Sequence, residues 1–444
     1  GVIAALILVI AGSAGEYLPG GRSFTVLSKP SGFTVLQRGI EVLPDVNISA
    51  VQADVSVSTL GVLDENGTLY CLRGSKVAAV DSNVASFAVA AGGRCIVYSD
   101  REGRLWAYSA AKKDAMPVCI CSAAVLRDYT VSPDGKFAAY NKQEDGALYL
   151  CAISNGKETK LDDSLLPVAV ASGAKAIYAY GEEDCSLYQL TKRGASTYMR
   201  GGIGAVIWLN YDNSEIAFTS EASNGNLKTM VSSSGKEYEV SGSYAAPLMT
   251  VSMRAPSRST ELFSVITCPY KSFDGRLFTG EGIVQFGFEG SRQISTLTVT
   301  DASLSDDCKQ LLYISGGRLF RSASTDFADC ERVSDDCKSF FLSSNGKTLW
   351  FEDGSSALYC CTGSAPVRAA EYFDAAAVSP DGRELLYIVD GKVYYCRSSA
   401  PSAPKSLEQY AQAVAIDRHG MYVYDGSVWQ SITSRGKLVP LAKA

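Results

Sequence analysis

The stretch Val378–Cys396, VSPDGRELLYIVDGKVYYC, places two tight turns between runs of strand-forming residues. In Pro380-Asp381-Gly382, proline presets φ for a turn, aspartate bonds to nearby backbone and glycine accepts a positive φ. Glu384–Val389 is rich in aliphatic and aromatic residues, which indicates a strand buried on both faces. Asp390-Gly391 is a two-residue hairpin signal, so Val393–Cys396 is predicted to return as the next strand.

Diverged copies of this stretch recur along most of the chain. The clearest second copy is Val131–Cys151, VSPDGKFAAYNKQEDGALYLC. Weaker copies keep the position and hydrophobicity of the strands: Val89–Tyr108, Val170–Tyr188, Trp208–Met230, Leu304–Phe320, Leu342–Tyr359 and Val414–Trp429. Their first turns recur about every 36 to 42 residues, with one wider gap. A degenerate copy in that gap, with strands expected at 250–254, 261–270 and 276–279, and an earlier copy at 55–72 bring the count to about ten units.

A period near 40 residues, with several short strands in each unit, predicts an all-β propeller built from blades of four antiparallel strands. A helical solenoid would instead show a period of 3.6 residues, and almost none of the chain does. One blade cannot bury both of its faces alone, so stacked blades bury one another. Rings of about four to eight blades are typical. The sequence therefore leaves three arrangements possible: a single large ring, an eight-bladed ring with divergent flanks, or two small rings.

The segments SPDGK at 132–136 and SPDGR at 379–383 are each followed by an apolar strand and then by a strand containing aromatic residues. In this they resemble the Pro-Asp repeats of the TolB-like (WD40-like) propeller family, over roughly residues 50–440. The resemblance implies an interaction scaffold in a bacterial cell envelope, or a propeller in front of a separate catalytic domain. The sequence has no G-x-S-x-G elbow after a strand and no C-terminal α/β segment, which argues against the second arrangement.

Residues 1–15, GVIAALILVIAGSAG, carry no charge and are nearly all apolar. We expect a hydrophobic helix stub here, and we interpret residues 1–20 as a truncated membrane anchor or signal segment. A full membrane span needs about 20 residues. The lack of a clean A-x-A cleavage site favours an anchor over a signal peptide. A buried strand is the remaining alternative. Either of the first two interpretations predicts an extracytoplasmic protein of the cell envelope.

Three further segments bear on domain organisation. Residues 21–50 are interpreted as short strands that dock on the first blade or complete the last one, which would remove an open sheet edge. The propeller is expected over residues 51–442. The Ser/Pro/Ala-rich segment Ser398–Lys405 is predicted to connect two blades. Residues 242–292 depart most from the repeat. This departure is explained either by a longer blade that carries a functional loop or by divergence of the repeat without a functional role.

Charge and aromatic content narrow the range of partners. The chain holds 41 Lys and Arg against 47 Asp and Glu, a net charge of −6, and the two signs are mixed along the sequence. With no basic stripe, a nucleic-acid partner is not expected. The charges are interpreted as a solvated surface. Tyrosine (24) outnumbers phenylalanine (16), which is typical of strands that have one end exposed to solvent.

The thirteen cysteines do not form a recognisable disulfide framework. Four of them end strand-like runs, where cysteine is expected to act as a small buried hydrophobe: Cys71, Cys151, Cys360 and Cys396. Cys308 and Cys337 are predicted to replace the turn glycine of the repeat. The C-x-C pair Cys119 and Cys121 lacks a second cluster at zinc spacing, as does Cys361 beside Cys360. So many unpaired thiols in an exported protein would indicate reducing surroundings.

No stretch has the spacing of a catalytic, metal or cofactor site. The single histidine, His419, lies in an Asp-Arg-His-Gly stretch and is interpreted as a turn residue. Asp64–Gly67 lacks the alternating ligands of a calcium loop and is predicted to be a hairpin turn. Ser343–Trp350 is close to a sialidase-type box, but its Asn and Gly are adjacent, so the spacing departs from that motif. We therefore predict no catalytic residue, no metal and no cofactor.

Two functions remain. The first is a non-enzymatic, membrane-anchored binding or scaffold module whose protein or glycan partner sits on a face of the ring, by analogy at the level of the fold. The second is an envelope hydrolase or lyase that cleaves glycan with carboxylates at the central channel, Glu281 or Asp301 for example. Three or more carboxylates with an arginine in the channel would favour the enzyme. An apolar or featureless channel favours the binding module, which is the function we predict.

Overall fold

A computed structural model describes residues 17–18, 24–54, 57–209, 213–221, 227–233, 236–239, 247–251, 262–267, 270–271, 277–278, 283–287, 290–293, 299–304, 310–343, 345–363 and 365–443, apart from 323–329. Between residues 238 and 309 only the strand backbone is described. The predicted helix stub at residues 1–15 lies outside the described residues. No described helix is long and apolar enough to cross a membrane.

The described elements are β-strands except for one 3₁₀ turn, Ser172–Ala174. An N-terminal unit contains β1 (Tyr17–Leu18), β2 (Phe24–Lys29), β3 (Gly32–Gln37) and β4 (Ile40–Val42). Ten units of four strands follow, which we call blades 1 to 10, and the strands within each blade are called A to D in chain order. Blade 1 shares one nine-stranded sheet with the N-terminal unit.

Blades 1 to 5 contain β5 (Ile48–Ala53), β6 (Thr59–Asp64), β7 (Leu69–Arg73) and β8 (Lys76–Asp81); β9 (Val84–Val89), β10 (Ile96–Asp100), β11 (Leu105–Tyr108) and β12 (Val118–Cys121); β13 (Val125–Val131), β14 (Phe137–Lys142), β15 (Leu148–Ala152) and β16 (Lys157–Asp162); β17 (Leu166–Val170), β18 (Ile177–Gly181), β19 (Ser186–Leu190) and β20 (Ser196–Arg200); and β21 (Ile203–Leu209), β22 (Glu215–Glu221), β23 (Leu227–Ser233) and β24 (Lys236–Glu239).

Blades 6 to 10 contain β25 (Pro247–Val251), β26 (Leu262–Thr267), β29 (Ile283–Gly287) and β30 (Gly290–Gln293), with an inserted pair β27 (Tyr270–Lys271) and β28 (Leu277–Phe278); β31 (Val299–Leu304), β32 (Leu311–Ser315), β33 (Arg318–Ser322) and β34 (Cys330–Ser334); β35 (Ser339–Leu342), β36 (Leu349–Glu352), β37 (Leu358–Cys361) and β38 (Val367–Ala370); β39 (Ala375–Val378), β40 (Glu384–Val389), β41 (Lys392–Arg397) and β42 (Ala400–Tyr410); and β43 (Ala413–Ile416), β44 (Met421–Tyr424), β45 (Trp429–Ile432) and β46 (Leu438–Pro440). The final strand is β47 (Ala442–Lys443).

Every blade pairs its strands antiparallel in the order A-B-C-D. The A strands of neighbouring blades approach one another, as β39 and β43 do, so they lie nearest the axis of the ring. The D strands form the outer edge, and β8 and β20 contain no fully buried side chain. This arrangement confirms the predicted all-β propeller of four-stranded blades and the count of about ten units.

The B strands are the buried centre of each blade. In β40 the prediction of a strand buried on both faces is confirmed, because Leu385, Leu386, Tyr387 and Ile388 are all buried. One face of the strand packs on the preceding blade and the other on the following blade. Leu386 and Ile388 join Val414 and Ile416 of blade 10 in one cluster, whereas Leu385 and Tyr387 join Trp350 of blade 8. Full burial of one such side chain contributes about 1.5–3 kcal/mol.

The turn between strands A and B repeats one hydrogen-bond pattern. In blade 9 the Ser379 hydroxyl donates to Asp381 at 2.7 Å and accepts the Glu384 backbone N–H at 2.9 Å. Asp381 also accepts the Arg383 backbone N–H at 3.1 Å. The same pattern recurs in the turns of blades 3 and 8, around Ser132-Asp134 and Ser343-Asn345. The sialidase-like segment is therefore a variant of the Ser-Pro-Asp-Gly turn, and its Trp350 is buried.

These AB turns also join neighbouring blades. The Gly92 backbone N–H of blade 2 donates to the Pro133 carbonyl of blade 3 at 2.8 Å. The Gly173 N–H of blade 4 donates to the Asp134 carboxylate at 2.9 Å. In blade 8 the Trp350 indole N–H donates to the Gly382 carbonyl at 2.9 Å. Turn packs directly on turn, so a side chain at Gly135 would place its Cβ 2.7 Å from the Cys95 Cβ.

A second row of hydrogen bonds joins the blades at the opposite ends of the strands. There the backbone N–H of a residue at or just before strand A donates to a carbonyl in the BC turn of the preceding blade. Five such bonds of 2.7–2.9 Å are Val84 to Gly67, Val125 to Gly103, Ile203 to Cys185, Cys337 to Gly317 and Ala411 to Gly391. Blades 2, 3, 4, 8 and 9 are thus held to a neighbour at both ends of their strands.

The N-terminal unit lies between blade 10 and blade 1. Leu27 and Leu36 pack on Tyr422 and Trp429 of blade 10, and other side chains of β2 and β3 pack on blade 1. The Trp429 indole N–H donates to the Ser28 carbonyl at 3.0 Å, and the Thr25 hydroxyl donates to Asp417. The C-terminal strand β47 pairs in parallel with β4. Blade 10 has four strands of its own, so β2–β4 do not complete it, and the ring closes through an additional unit.

Three expectations from the sequence are wrong in detail. The third strand of blade 6 is β29, because the predicted strand at 276–279 pairs locally with β27 as an inserted hairpin. Ser398–Lys405 is mostly strand β42, whose prolines are tolerated on an outer edge where register shifts occur. Cys337 does not replace a turn glycine as predicted, because it lies in the connection between blades 7 and 8. Gly346 occupies the glycine position in the AB turn of blade 8. Cys308 lies outside the described residues.

We predict that Gly135→Ala destabilises the protein more than Gly146→Ala. Both glycines belong to blade 3 and have φ of +68°. A side chain in that conformation costs about 1–2 kcal/mol at either site. At Gly135 the new Cβ would also collide with blade 2, whereas nothing lies within 4 Å at Gly146. Overpacking should add about 1–3 kcal/mol to the loss. Equal denaturant midpoints for the two variants would contradict the packing of turn on turn.

Candidate functional site: the channel and the two faces of the ring

The A strands line the central channel and most of them carry no charge, but β13 of blade 3 contains Arg127 and Asp128 and β31 of blade 7 contains Asp301. The A strands of blades 1, 2, 4, 8, 9 and 10 read ISAVQA, VASFAV, LPVAV, SFFL, AAAV and AVAI, without one charged residue. No group of three or more His, Cys, Asp or Glu side chains suited to a metal occurs among the described residues. Glu281 lies outside the described residues, and the Asp301 side chain is not described although its backbone belongs to β31. These six A strands therefore bring no charged side chain to the channel.

The alternating strand directions divide the turns between two faces. The AB and CD turns lie together on what we call the AB face. The BC turns and the connections between blades lie on the opposite side, which we call the BC face. The inter-blade hydrogen bonds agree with this division, since AB turns bond to AB turns, and BC turns bond to the connections.

Five blades carry a basic residue at the same place on the AB face, directly after the turn glycine or its equivalent. We call these side chains the basic ring: Arg94, Lys136, Lys175, Lys347 and Arg383. All five are exposed. Lys136 lies 3.8 Å from Asp134, and Arg383 lies 3.6 Å from Asp381. The other three form no ion pair within the described part of the chain. The ring therefore offers cations to a ligand.

The rest of the AB face is also predominantly basic. Cations in its turns and on the adjoining strand residues are Arg38, Arg73, Lys76, Lys112, Lys113, Lys157, Lys192, Arg193, Arg397, Arg418, Arg435 and Lys437, in addition to the basic ring. Among the described side chains, the acids of this face are fewer: Asp54, Asp114, Asp134, Asp381, Glu384 and Asp417.

Most of the acids on the AB face are occupied within their own turns. Asp54 and Asp417 are buried and accept backbone N–H groups, from Thr59 and Gly420 respectively. Partial burial opposes ionisation of Asp381, but the hydrogen bonds from Ser379 and the Arg383 N–H outweigh it and lower the pKa of that carboxyl. These carboxylates stabilise the turns and leave the exposed charge of the face positive.

The BC face is predominantly acidic. Its acids are Asp45, Asp64, Glu65, Asp81, Asp100, Glu102, Glu144, Asp145, Asp162, Asp163, Glu182, Glu183, Asp184, Asp335, Asp336, Glu352, Asp353, Glu371, Asp374, Asp390 and Asp425. The fewer cations there tend to bind acids, as Arg104 does to Asp100 at 2.7 Å and Lys338 to Glu352 at 2.6 Å. Backbone N–H bonds from Val428 and Ser427 lower the pKa of Asp425 to about 2.

The fold thus sorts onto two faces the charges that alternate along the sequence. Our sequence interpretation of a uniformly mixed surface missed this separation. A signal was present, because Lys or Arg follows most of the Ser-x-Asp-Gly-like turns whereas Asp or Glu fills most BC turns. Its meaning depends on strand direction, which assigns alternate turns to opposite faces.

The described cysteines form no disulfide. The prediction that Cys71, Cys151, Cys360 and Cys396 are buried is confirmed. Burial raises the pKa of the Cys71 thiol to about 11 and that of Cys396 to about 12. Cys121 is also buried, and Cys119 is half-buried. By contrast, Cys185 is exposed in a BC turn.

We predict that an alkylating reagent at pH 8 modifies Cys185 at least ~100-fold faster than Cys71 or Cys396 in the folded protein. Only the thiolate reacts, and burial limits both ionisation and access at the two slower sites. Peptide mass spectrometry would follow each site separately, and the same reaction in denaturant is the control, where the rates should converge. Comparable rates in the folded protein would contradict the buried positions.

His419 and Asp64–Gly67 lie where turns were predicted. His419 is exposed between β43 and β44, and its backbone N–H donates to Asp417 at 2.6 Å. Asp64 accepts the backbone N–H groups of Asn66 and Thr68 at 2.9 and 2.7 Å, as expected for a hairpin turn. Neither residue belongs to a catalytic arrangement within the described part of the chain.

No protein-family model matches the sequence, and no curated protein matches it. Solved structures with a similar fold include a eukaryotic initiation factor, at 12% identity and a TM-score of 0.41, with 80% of this chain and 94% of that chain covered. Dipeptidyl peptidase 4 of Porphyromonas gingivalis is similar at 8% identity and a TM-score of 0.47, with 77% and 65% covered. A manganese-bound oligogalacturonate lyase is similar at 10% identity and a TM-score of 0.30, with 68% and 92% covered.

These likenesses concern the fold alone. The order of strands in the blades, together with the packing of each described blade on the next, places the chain in the β-propeller class. Propellers of this class serve both as enzymes and as binding scaffolds, so the function has to be argued from the channel and the faces.

Proposed function

We propose that the protein is a non-enzymatic binding module, held at a membrane on its extracytoplasmic side, that presents the AB face to its partner. The observation that carries the proposal is the channel, where six A strands contain no charged residue. A glycan hydrolase or lyase needs an acid and a base or nucleophile that flank the scissile bond. The Pro-Asp turns also support membership of the TolB-like family of envelope propellers.

The positions of the chain ends support the orientation. Tyr17 pairs with Leu27, near the end of β2 that lies at the BC face, so the chain enters the ring from that side. At the other end, Lys443 lies 3.8 Å from Asp45 in a connection on the BC face. A membrane segment at residues 1–15 would then adjoin the BC face. The AB face would be directed away from the membrane and accessible to a partner.

The test of membrane attachment is fractionation of bacteria that express the chain with its N-terminal segment. We expect the protein in the membrane fraction, and a membrane-impermeant maleimide should label Cys185 in intact spheroplasts. A variant that lacks residues 1–16 should leave the membrane fraction while it keeps the same melting temperature. Labelling of Cys185 only after the spheroplasts are lysed would contradict the extracytoplasmic location.

The absence of catalysis needs its own assay. Purified protein incubated with acidic and neutral envelope polysaccharides should release no new reducing ends and no unsaturated sugars. Turnover that survives repurification and that a channel-lining substitution removes would overturn the binding-module proposal.

A further inference from the structure

We propose that the basic ring binds an acidic polysaccharide along the AB face. The inference deepens the proposed function, since it names the partner of the face that the module would present. It rests on one arrangement: exposed cations at equivalent turn positions in blades 2, 3, 4, 8 and 9, on a face whose acids are largely occupied within their own turns.

The spacing of these cations suits an extended polymer. Packed β-sheets lie about 10 Å apart, so the basic residues of successive blades recur at about that interval. Arg94, Lys136 and Lys175 form one arc over blades 2 to 4, and Lys347 and Arg383 form a second arc over blades 8 and 9. The interval is close to the Debye length of about 8 Å at physiological ionic strength. A small anion would meet one cation, whereas a chain with recurring carboxylates can meet a whole arc.

The composition of the basic ring disfavours a protein partner. Protein interfaces depend on a few buried aromatic or other large anchors. The AB turns expose no large hydrophobic side chain within the described part of the chain, although Met116 and Val118 at the CD turn of blade 2 are exposed on the same face. Exposed tyrosines lie instead on the BC face, where Tyr372 is 43% exposed and Tyr410 is 64% exposed. A partner of the basic ring is therefore recognised by charge and polar contacts, as an acidic glycan would be.

Nucleic acid fits the same cations less well. Proteins that read a duplex insert a helix or a β-ribbon into a groove. Proteins that bind single strands stack the bases on aromatic side chains. The described AB turns are short and closed by internal hydrogen bonds, and they expose no aromatic side chain. The AB face thus has cations for a backbone but no element that would engage bases.

The decisive experiment measures binding of fluorescently labelled alginate, an unsulfated polymer of uronic acids, across a range of sodium chloride concentrations. The ring variant is R94Q/K136Q/K175Q, which removes one arc. The matched control is R318Q/R332Q/R368Q, which removes the same charge from exposed residues outside the AB turns. Exposed substitutions of this kind usually change stability only slightly. Melting curves would verify that both variants are folded.

We expect the unmodified protein to bind alginate with an affinity that falls linearly with salt on logarithmic axes, as counterion release requires. The ring variant should lose at least tenfold in affinity and show a shallower salt dependence, whereas the control variant should bind like the parent. Alginate with its carboxyl groups esterified should not bind. Equal losses in both variants, or no loss in the ring variant, would overturn the proposal.

Two further probes separate the alternatives. Tighter binding of single-stranded DNA or of vesicles containing phosphatidylglycerol than of alginate would assign the basic ring to another class of partner and overturn the glycan. Failure of all three probes would overturn the inference and leave the fractionation result intact. Cleavage of bound alginate would overturn the non-enzymatic function and leave the binding site in place.

Discussion

The structure depends on the contact of each AB turn with the turn of the neighbouring blade. This contact requires a turn whose backbone N–H groups are hydrogen-bonded within the turn itself. Its serine and its aspartate or asparagine accept those hydrogen bonds. It also requires a residue without a side chain at the point of approach. Gly135 and Gly382 meet the neighbouring turn so closely that a Cβ would lie 2.7–2.8 Å from the nearest side-chain atoms. Burial of the B strands then follows, because blades held at this separation cover both faces of one another.

Ring closure uses residues that are distant in sequence. The packing of Leu27 and Leu36 on Tyr422 and Trp429 joins segments almost 400 positions apart, and a buried indole hydrogen bond lies at the same junction. Contacts between residues so distant in sequence stabilise the folded chain only after most of the ring has formed. The parallel pair of β4 and β47 covers an edge that an open ring would expose. Both described ends of the chain reach the BC face.

Local features of this fold could be predicted from the sequence, and non-local features could not. The turn at Pro380-Asp381-Gly382 and the strand after it were predictable, since turn chemistry and apolar runs act within a few residues. The D strands were missed because exposed edge strands such as β20 carry no apolar pattern. Ser398–Lys405 was mistaken for a connector for the same reason. In blade 6 an Asp-Gly turn signalled a hairpin correctly, but that hairpin is an insertion rather than the third strand.

The candidate site illustrates the same limit. Lys136 and Arg383 are ordinary charged residues in the sequence, and their relation to Arg94, Lys175 and Lys347 arises only when strand direction puts alternate turns on one face. The separation of charge gives a protein of net charge −6 one positive surface. That surface is the one on which we propose that an acidic polysaccharide binds.

Closure of the ring on blade 10 by the N-terminal unit is tested most directly by hydrogen exchange of the Trp429→Phe variant. This substitution removes the indole N–H bound to Ser28 and keeps an aromatic ring. An intramolecular hydrogen bond contributes about 1 kcal/mol. Amides of Phe24–Gln37 should therefore exchange several-fold faster, while those of blades 3 and 4 stay unchanged. Unchanged exchange in Phe24–Gln37, with faster exchange confined to blade 10, would contradict closure of the ring at this junction.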